Sequence, residues 1–261
     1  MATTSTQADV FYPESDGEPM GETIQHRDAT IDLILALKDW FVADPLAYVS
    51  GDEFVYFVEG QPRFVVSPNV WCVRGIDKTI LRPIYKTWLE ESKGPELVVE
   101  MTSPSTRRVD RGKKFRIYQD DLKVREYFMF DPLDEYLDPV LQGFRLVEGE
   151  YCPIEAVAGR LPSEVLGLHL EAVNGFVRLF DPATGFRLLN RLERLEMKEA
   201  ENRELERRSR EQDAARHVLE QRSREQDAAL REAQAEVDRL RRELEALRAS
   251  GKLKDPKPKR K

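Results

Sequence analysis

Glu100 closes the apolar run Leu97-Val98-Val99, and an acid on an otherwise buried strand must be ion-paired, ligated or at the rim. Ten residues on, Asp110, Lys114 and Tyr118 recur at four-residue steps, which on a helix sets them on one face. Lys114 can then lean over the end of the Glu100 strand. Asn69 follows Pro68 and opens a further apolar run, Val70 to Val73. A strand carboxylate beside a helix lysine suits metal-assisted phosphodiester hydrolysis. Mg²⁺ takes hard oxygen ligands, commonly one or two carboxylates, with water and phosphate completing its shell. The ion lowers the pKa of a bound water and stabilises the charge growing on the phosphate. A lysine adds a compact cation with three donors. The spacing describes a buried Lys–Glu ion pair equally well. No His pair, Cys pair or Gly-rich phosphate loop offers a competing chemistry.

These residues need a strand, a crossover helix and a second strand to position them. Leu97 to Met101 reads as a buried strand, Val109 to Asp121 as a helix and Val124 to Phe130 as a strand closed by Asp131-Pro132. Such a βαβ unit pairs its strands in parallel through a right-handed crossover. Upstream, Ile24, Ile31, Ile34, Leu35, Leu37 and Trp40 recur at mostly three- and four-residue steps, predicting an amphipathic helix that Pro45 ends. DEFVYFVEG and PRFVV predict a hairpin around Glu59-Gly60, and NVWCVRG a third strand. A helical turn is expected around Tyr85 to Glu90, before a Gly94-Pro95 break. Further hairpins are expected at Glu148-Gly149 and Asn174-Gly175. The fold class is therefore α/β with a mixed sheet.

The charge is unevenly placed. Residues 1–185 hold 19 Lys and Arg against 31 Asp and Glu, net −12, whereas residues 186–261 hold 22 against 17, net +5. An acidic domain argues against a general nucleic-acid coat, which needs cations to neutralise phosphates. One local exception runs from Thr106 to Arg116, where Arg107, Arg108, Arg111, Lys113, Lys114 and Arg116 face Asp110 alone. That run is suited to holding phosphates, or is simply a solvated helix entrance. Ser103, Ser105 and Thr106 offer hydroxyls for capping the helix or touching phosphate. Cys72 and Cys152 are too few and too far apart for a metal cluster and read as two buried thiols in a reducing cytosol. No apolar run approaches the length of a membrane span, and MATTSTQADV lacks a signal peptide's apolar core, so a cytoplasmic protein without membrane contact is expected.

Four segments follow: a loose arm over residues 1–20, a domain over 21–185, a helical coiled coil over 186–250 and a basic disordered tail over 251–261. From Leu195 onward, heptad positions reach Leu230, Val237 and Leu244 in one series and Ala233, Leu240 and Leu247 in the other. RSREQDAA occurs twice, at residues 208–215 and 222–229, offset by two heptads, so the register is kept. The apolar end of this seam predicts self-association as a coiled coil, hence a homo-oligomer. A single charged helix laced with i,i+4 ion pairs is the plainer alternative.

The run PELVVEMTSPSTRRVDRGKKFRIYQDDLKVREYFMFDP, with SPNVWCV before it and LDPVLQGFRL after it, resembles the restriction-endonuclease-like (Uma-type) family abundant in cyanobacteria and other bacteria. That family is similar to the PD-(D/E)xK nuclease superfamily. The likeness spans about residues 20–185. It implies a restriction-endonuclease-like mixed β-sheet core flanked by helices, endonuclease activity on DNA, and Mg²⁺ (or Mn²⁺) as cofactor. The family's pattern sets a metal-binding aspartate after a proline, a glutamate at the end of VVE, and a lysine moved onto the following helix. Glu100 then stands at the metal-binding and catalytic glutamate, with Thr102 where a strand lysine would otherwise be. Lys114 is the migrated catalytic lysine, with Lys113 as second candidate, and Tyr118 packs beneath it. Glu22 corresponds to an acid that often joins such metal sites, and His26 lies one turn later, open also to a capping or solvent-facing role. Arg107, Arg108, Arg111 and Lys113 become the DNA-binding residues. The departure is Asn69, which occupies the aspartate's catalytic and metal-binding place and removes one negative charge. Activity is expected to fall, with Glu22, Asp52 or Asp77 as acids able to compensate. Two readings remain: an endonuclease weakened at Asn69, or a degenerate nuclease fold kept as a DNA-binding or coiled-coil scaffold protein.

Overall fold

The computed structural model describes residues 10–14 and 23–249, and the chain divides into two units between Arg194 and Leu195. The first unit is built on a six-stranded sheet whose strands, in spatial order, are β1 (Ala47–Ser50), β4 (Val70–Arg74), β6 (Leu97–Met101), β7 (Glu126–Phe130), β8 (Leu141–Val147) and β9 (Glu150–Pro153). Within this sheet β6 and β7 pair in parallel, as the strand–helix–strand reading expects, and the other neighbours pair antiparallel. Both are buried at every residue, which suits unbroken apolar strands covered on two faces.

Side-chain alternation sorts the core into two layers. On one face Val70, Cys72, Leu97, Val99, Met101, Phe128 and Phe130 meet Leu33 and Leu37 of helix α1 (Ile24–Trp40). The same layer takes Leu168, Leu170 and Val177 from a four-stranded meander of β10 (Leu161–Ser163), β11 (Leu168–Val173), β12 (Phe176–Asp181) and β13 (Phe186–Arg187). On the other face Trp71, Val73, Val98, Tyr127 and Met129 meet Tyr118 of the crossover helix and Tyr85. Tyr85 belongs to a small sheet of β3 (Val65–Val66), β2 (Val55–Tyr56) and β5 (Tyr85–Lys86), in which β2 and β3 form the hairpin expected around Glu59-Gly60. The turns at Glu148-Gly149 and Asn174-Gly175 have positive φ at both residues, the conformation that two-residue hairpins demand.

Five expectations need correction. The buried face of α1 is His26, Ala29, Thr30, Leu33 and Leu37, whereas Ile24, Ile31 and Trp40 are exposed. Small Ala29 and Thr30 let the helix lie close to the sheet, so hydrophobicity alone misplaced the stripe. The crossover helix forms over the expected range but with π-helical segments at Val109–Lys114 and Ile117–Asp121, a wide ladder met frequently at functional sites. Within the supposed loose arm, the described Val10–Glu14 segment touches the domain: Tyr56 Oη donates to Pro13 O at 2.7 Å, and the Tyr12 ring lies 5.1 Å from that of Tyr56. The meander runs past residue 185, because β13 pairs with β12 and Arg187 bonds Glu171. Cys72 is buried, but Cys152 is exposed because it lies on the edge strand β9.

The second unit is carried by helix α2 (Arg191–Ala249), 59 residues long with no buried residue. Ion pairs at i,i+4 spacing line it, including Arg207–Glu211 at 2.6 Å and Arg216–Glu220 at 3.1 Å. Residues 251–261, expected as a basic tail, lie outside the described residues. Among the described residues no helix is long and apolar enough to cross a membrane.

Candidate active site

Glu100 is the fourth residue of β6, and strand alternation points it to the same face as Val98, toward the crossover helix. It is fully buried. One carboxylate oxygen accepts from Lys114 Nζ at 2.9 Å, and the other from Tyr118 Oη at 2.5 Å. The four-residue spacing of Lys114 and Tyr118 is therefore what brackets the carboxylate. Asp110, one step earlier on that face, approaches Lys114 at 3.7 Å and accepts from Thr102 Oγ1 at 2.8 Å. Lys114 Nζ also donates to Ser67 O at 3.3 Å.

Burial pushes the Glu100 carboxyl above the ordinary carboxylate range, with Lys114 opposing. Burial alone would lower the pKa of Lys114, but Glu100 and Asp110 outweigh it and hold the ammonium above its usual value. The result is a half-buried lysine held in its charged form by neighbouring carboxylates.

Asn69 reaches the same place through strand register. β4 pairs antiparallel with β6, Val70 opposite Val99, and the next step sets Asn69 opposite Glu100. The Asn69 backbone N–H points to Glu100 Oε2 at 3.4 Å, its Oδ1 accepts from Met101 N at 3.0 Å, and its Nδ2 donates to Asp52 Oδ1 at 3.0 Å. The two side-chain bonds fix the amide's orientation, since the reverse would face two donors toward each other. Gly51 permits this approach, because a Cβ there would lie 2.2 Å from the Asn69 carbonyl oxygen. The chain passes close beside Asn69 and delivers Asp52, whose own N–H donates to Pro68 O at 2.9 Å. The signal for Asp52 in the sequence was the Gly51-Asp52 pair directly after β1, readable only once strand order is known.

Other expected residues lie elsewhere. Buried His26 bonds the Thr102 carbonyl at 3.2 Å and Thr23 at 2.6 Å, which ties the start of α1 to the end of β6. Asp77 bonds Thr79 in a turn. Glu22 lies outside the described residues. Ser103 and Thr106 cap the crossover helix reciprocally, with Ser103 N to Thr106 Oγ1 at 3.0 Å and Thr106 N to Ser103 Oγ at 3.3 Å.

The basic run divides between two sides of the helix. Arg107 lies 5.9 Å over the Tyr136 ring and Arg111 donates to Gln142 at 3.2 Å, and Arg108 is exposed. Lys113 and Arg116 instead line a groove facing the β2–β3 hairpin. Among the described residues, no three His, Cys, Asp or Glu side chains gather as a metal cluster. The carboxylates near Lys114 are those of Glu100, Asp110 and, beyond Asn69, Asp52.

No curated protein matches the chain. A crystal structure from Anabaena variabilis, described as "a putative nuclease belonging to DUF820", is 13% identical, with a TM-score of 0.44, covering 60% of this chain and 83% of its own. A family model described as "Putative restriction endonuclease" matches residues 6–176. The chain belongs to that family, Uma2.

Proposed function

We propose that the domain is a DNA endonuclease using Mg²⁺ or Mn²⁺, with Glu100, Lys114 and Asn69 at its centre and turnover held low by the amide at position 69. Family membership supports the nuclease class. The observation that carries the residue assignment is Glu100, fully buried yet shared between a helix lysine and the Asn69 backbone. Burying such a carboxylate carries a desolvation cost that its ion pair offsets only in part, so its presence supports a purpose beyond packing.

The donor chemistry fits a sparsely coordinated hard cation. Mg²⁺ keeps several waters and needs only one or two protein carboxylates, so a cluster of three is not required. Glu100 would hold it, with Asp52 supplying the charge that Asn69 lacks and the Asn69 oxygen as a neutral donor. When bound, the ion would supply an acidified water and charge neutralisation at the phosphate. Lys114, released from Glu100, offers its donors to a phosphate oxygen or to the attacking water. Arg107, Arg108, Arg111 and Lys113 would hold the flanking phosphates, while the acidic surroundings limit loose binding of DNA elsewhere on the domain.

Cleavage of supercoiled plasmid and single-stranded DNA in Mg²⁺ and Mn²⁺ tests this. The native protein should cut slowly, Glu100→Ala should not cut, and Asn69→Asp should cut faster. Cutting only after Asn69→Asp would point instead to a degenerate nuclease fold kept for DNA binding, and silence from all three would leave no support for hydrolysis.

A second reading concerns α2. Leu230, Val237, Leu240, Leu244 and Leu247 are all exposed on one seam of this helix. We propose that they pair two chains in a homodimeric coiled coil, which would also bring two domains to one duplex.

A further inference from the structure

The groove beside the crossover helix is unusual in joining cations to aromatic rings. A cavity of about 540 Å³ lies between that helix and the β2–β3 hairpin, lined by Phe57, Arg63, Phe64, Lys113 and Arg116, with Asp121 its only carboxylate lining residue. Its volume falls within the roughly 300–1,000 Å³ of small-ligand sites. A second cavity of about 340 Å³ shares Val65, Lys113 and Ile117 with the first and extends to Ser67 and Lys114. The two adjoin at these shared residues, and the second is lined by Lys114, whose ammonium bonds Ser67 O and Glu100.

The rings are arranged to leave apolar surface open. Phe57 and Phe64 meet edge to face at 5.8 Å and are only partly buried. The Arg63 guanidinium lies 5.0 Å over the Phe64 ring and is itself exposed. A duplex keeps its base faces stacked inside and offers such a groove phosphates and base edges. An unpaired strand offers both phosphates and free base faces, and proteins that bind single strands combine a cationic groove with aromatic platforms. Three cations against one carboxylate, within a domain of net charge −12 over residues 1–185, favour a polyanion here.

We propose that this groove seats an unpaired stretch of DNA, its bases against Phe64 and Arg63 and its backbone running past Lys113 and Arg116 to Lys114. The inference rests on the DNA-directed reading above and narrows it to single-stranded or locally opened substrates.

Fluorescence anisotropy of the full chain with a labelled single-stranded oligonucleotide and the matching duplex, in EDTA, tests binding apart from cleavage. The single strand should bind more tightly. Phe64→Leu, which keeps apolar volume but removes the ring, should weaken single-strand binding about tenfold and leave duplex binding unchanged. Arg63→Ala, at an exposed position, should act in the same direction, so a folding defect in the first variant does not decide the matter. Equal affinity for both forms, or indifference to both substitutions, overturns the groove assignment while leaving plasmid cleavage to judge the nuclease reading. Absence of any DNA binding by the native protein in EDTA likewise overturns the groove assignment, and absence of cleavage with Mg²⁺ or Mn²⁺ as well overturns both.

Discussion

Asn69 stands opposite Glu100 at the end of the β4–β6 ladder, and its side-chain amide spans from Met101 N to Asp52 Oδ1, each at 3.0 Å. An amide can make both bonds at once because it carries an acceptor and a donor. A carboxylate keeps the first and turns the second into repulsion. Asn69→Asp should therefore lower stability by about 1 kcal/mol without divalent ion, the scale of one lost hydrogen bond. Adding Mn²⁺ should restore the melting temperature of the variant more than that of the native protein. Thermal unfolding with and without the ion reads both; equal responses of the two proteins would remove position 69 from any metal role.

Glu100 and Lys114 should behave as one unit in stability. Glu100→Gln removes the carboxylate nearest the half-buried Lys114 ammonium, leaves Asp110 at 3.7 Å as its closest carboxylate, and should cost about 3 kcal/mol. The double variant Glu100→Gln/Lys114→Met should cost less than the sum of the single ones. Urea denaturation of the four proteins measures the coupling, and simple additivity would contradict the pairing.

The meander carries its own pH dependence. Burial opposes the charge of Glu171, but Arg187 and Arg160 outweigh it and hold the carboxyl below its ordinary range. A carboxyl whose pKa falls on folding stabilises the fold above its unfolded value of about 4.3, and loses that contribution as pH falls through the folded value. Glu171→Gln should thus cost about 2 kcal/mol at pH 7 and progressively less below about pH 4.3. Urea midpoints at pH 7, 5 and 3.5 give the comparison.

Thiol reactivity should differ sharply between the two cysteines. Burial pushes the Cys72 thiol far up, whereas Cys152 is exposed on β9. Iodoacetamide under native conditions should label Cys152 alone, with Cys72 reacting only in denaturant. Mass spectrometry of the digests would reveal any other order.

Self-association of α2 is tested by charge placed in its seam. Leu240→Lys with Leu247→Lys should convert a dimer to a monomer by light scattering, while leaving the domain's melting transition in place. A native protein that is monomeric at all concentrations would refute the coiled coil.

Local patterns carried much of this molecule. The buried run Leu97–Met101, the four-residue steps of Asp110, Lys114 and Tyr118, and the turn residues at Glu148-Gly149 and Asn174-Gly175 specify their elements through near-neighbour sterics and periodicity, and the structure follows them. The 59-residue α2 was likewise legible from its heptads. What required the tertiary structure was everything set by contacts distant in sequence. Burial of His26, Ala29 and Thr30 in place of Ile24 and Ile31 depends on how closely α1 lies on the sheet. The placement of Asp52 depends on β1 lying beside β4 and on Gly51 admitting the Asn69 carbonyl. The division of one basic run between Tyr136 on one side and the β2–β3 groove on the other depends on which elements flank the helix. A sequence states which residues are able to meet at one spacing along an element. Strand order and register decide which elements are adjacent, and so which charges share a site.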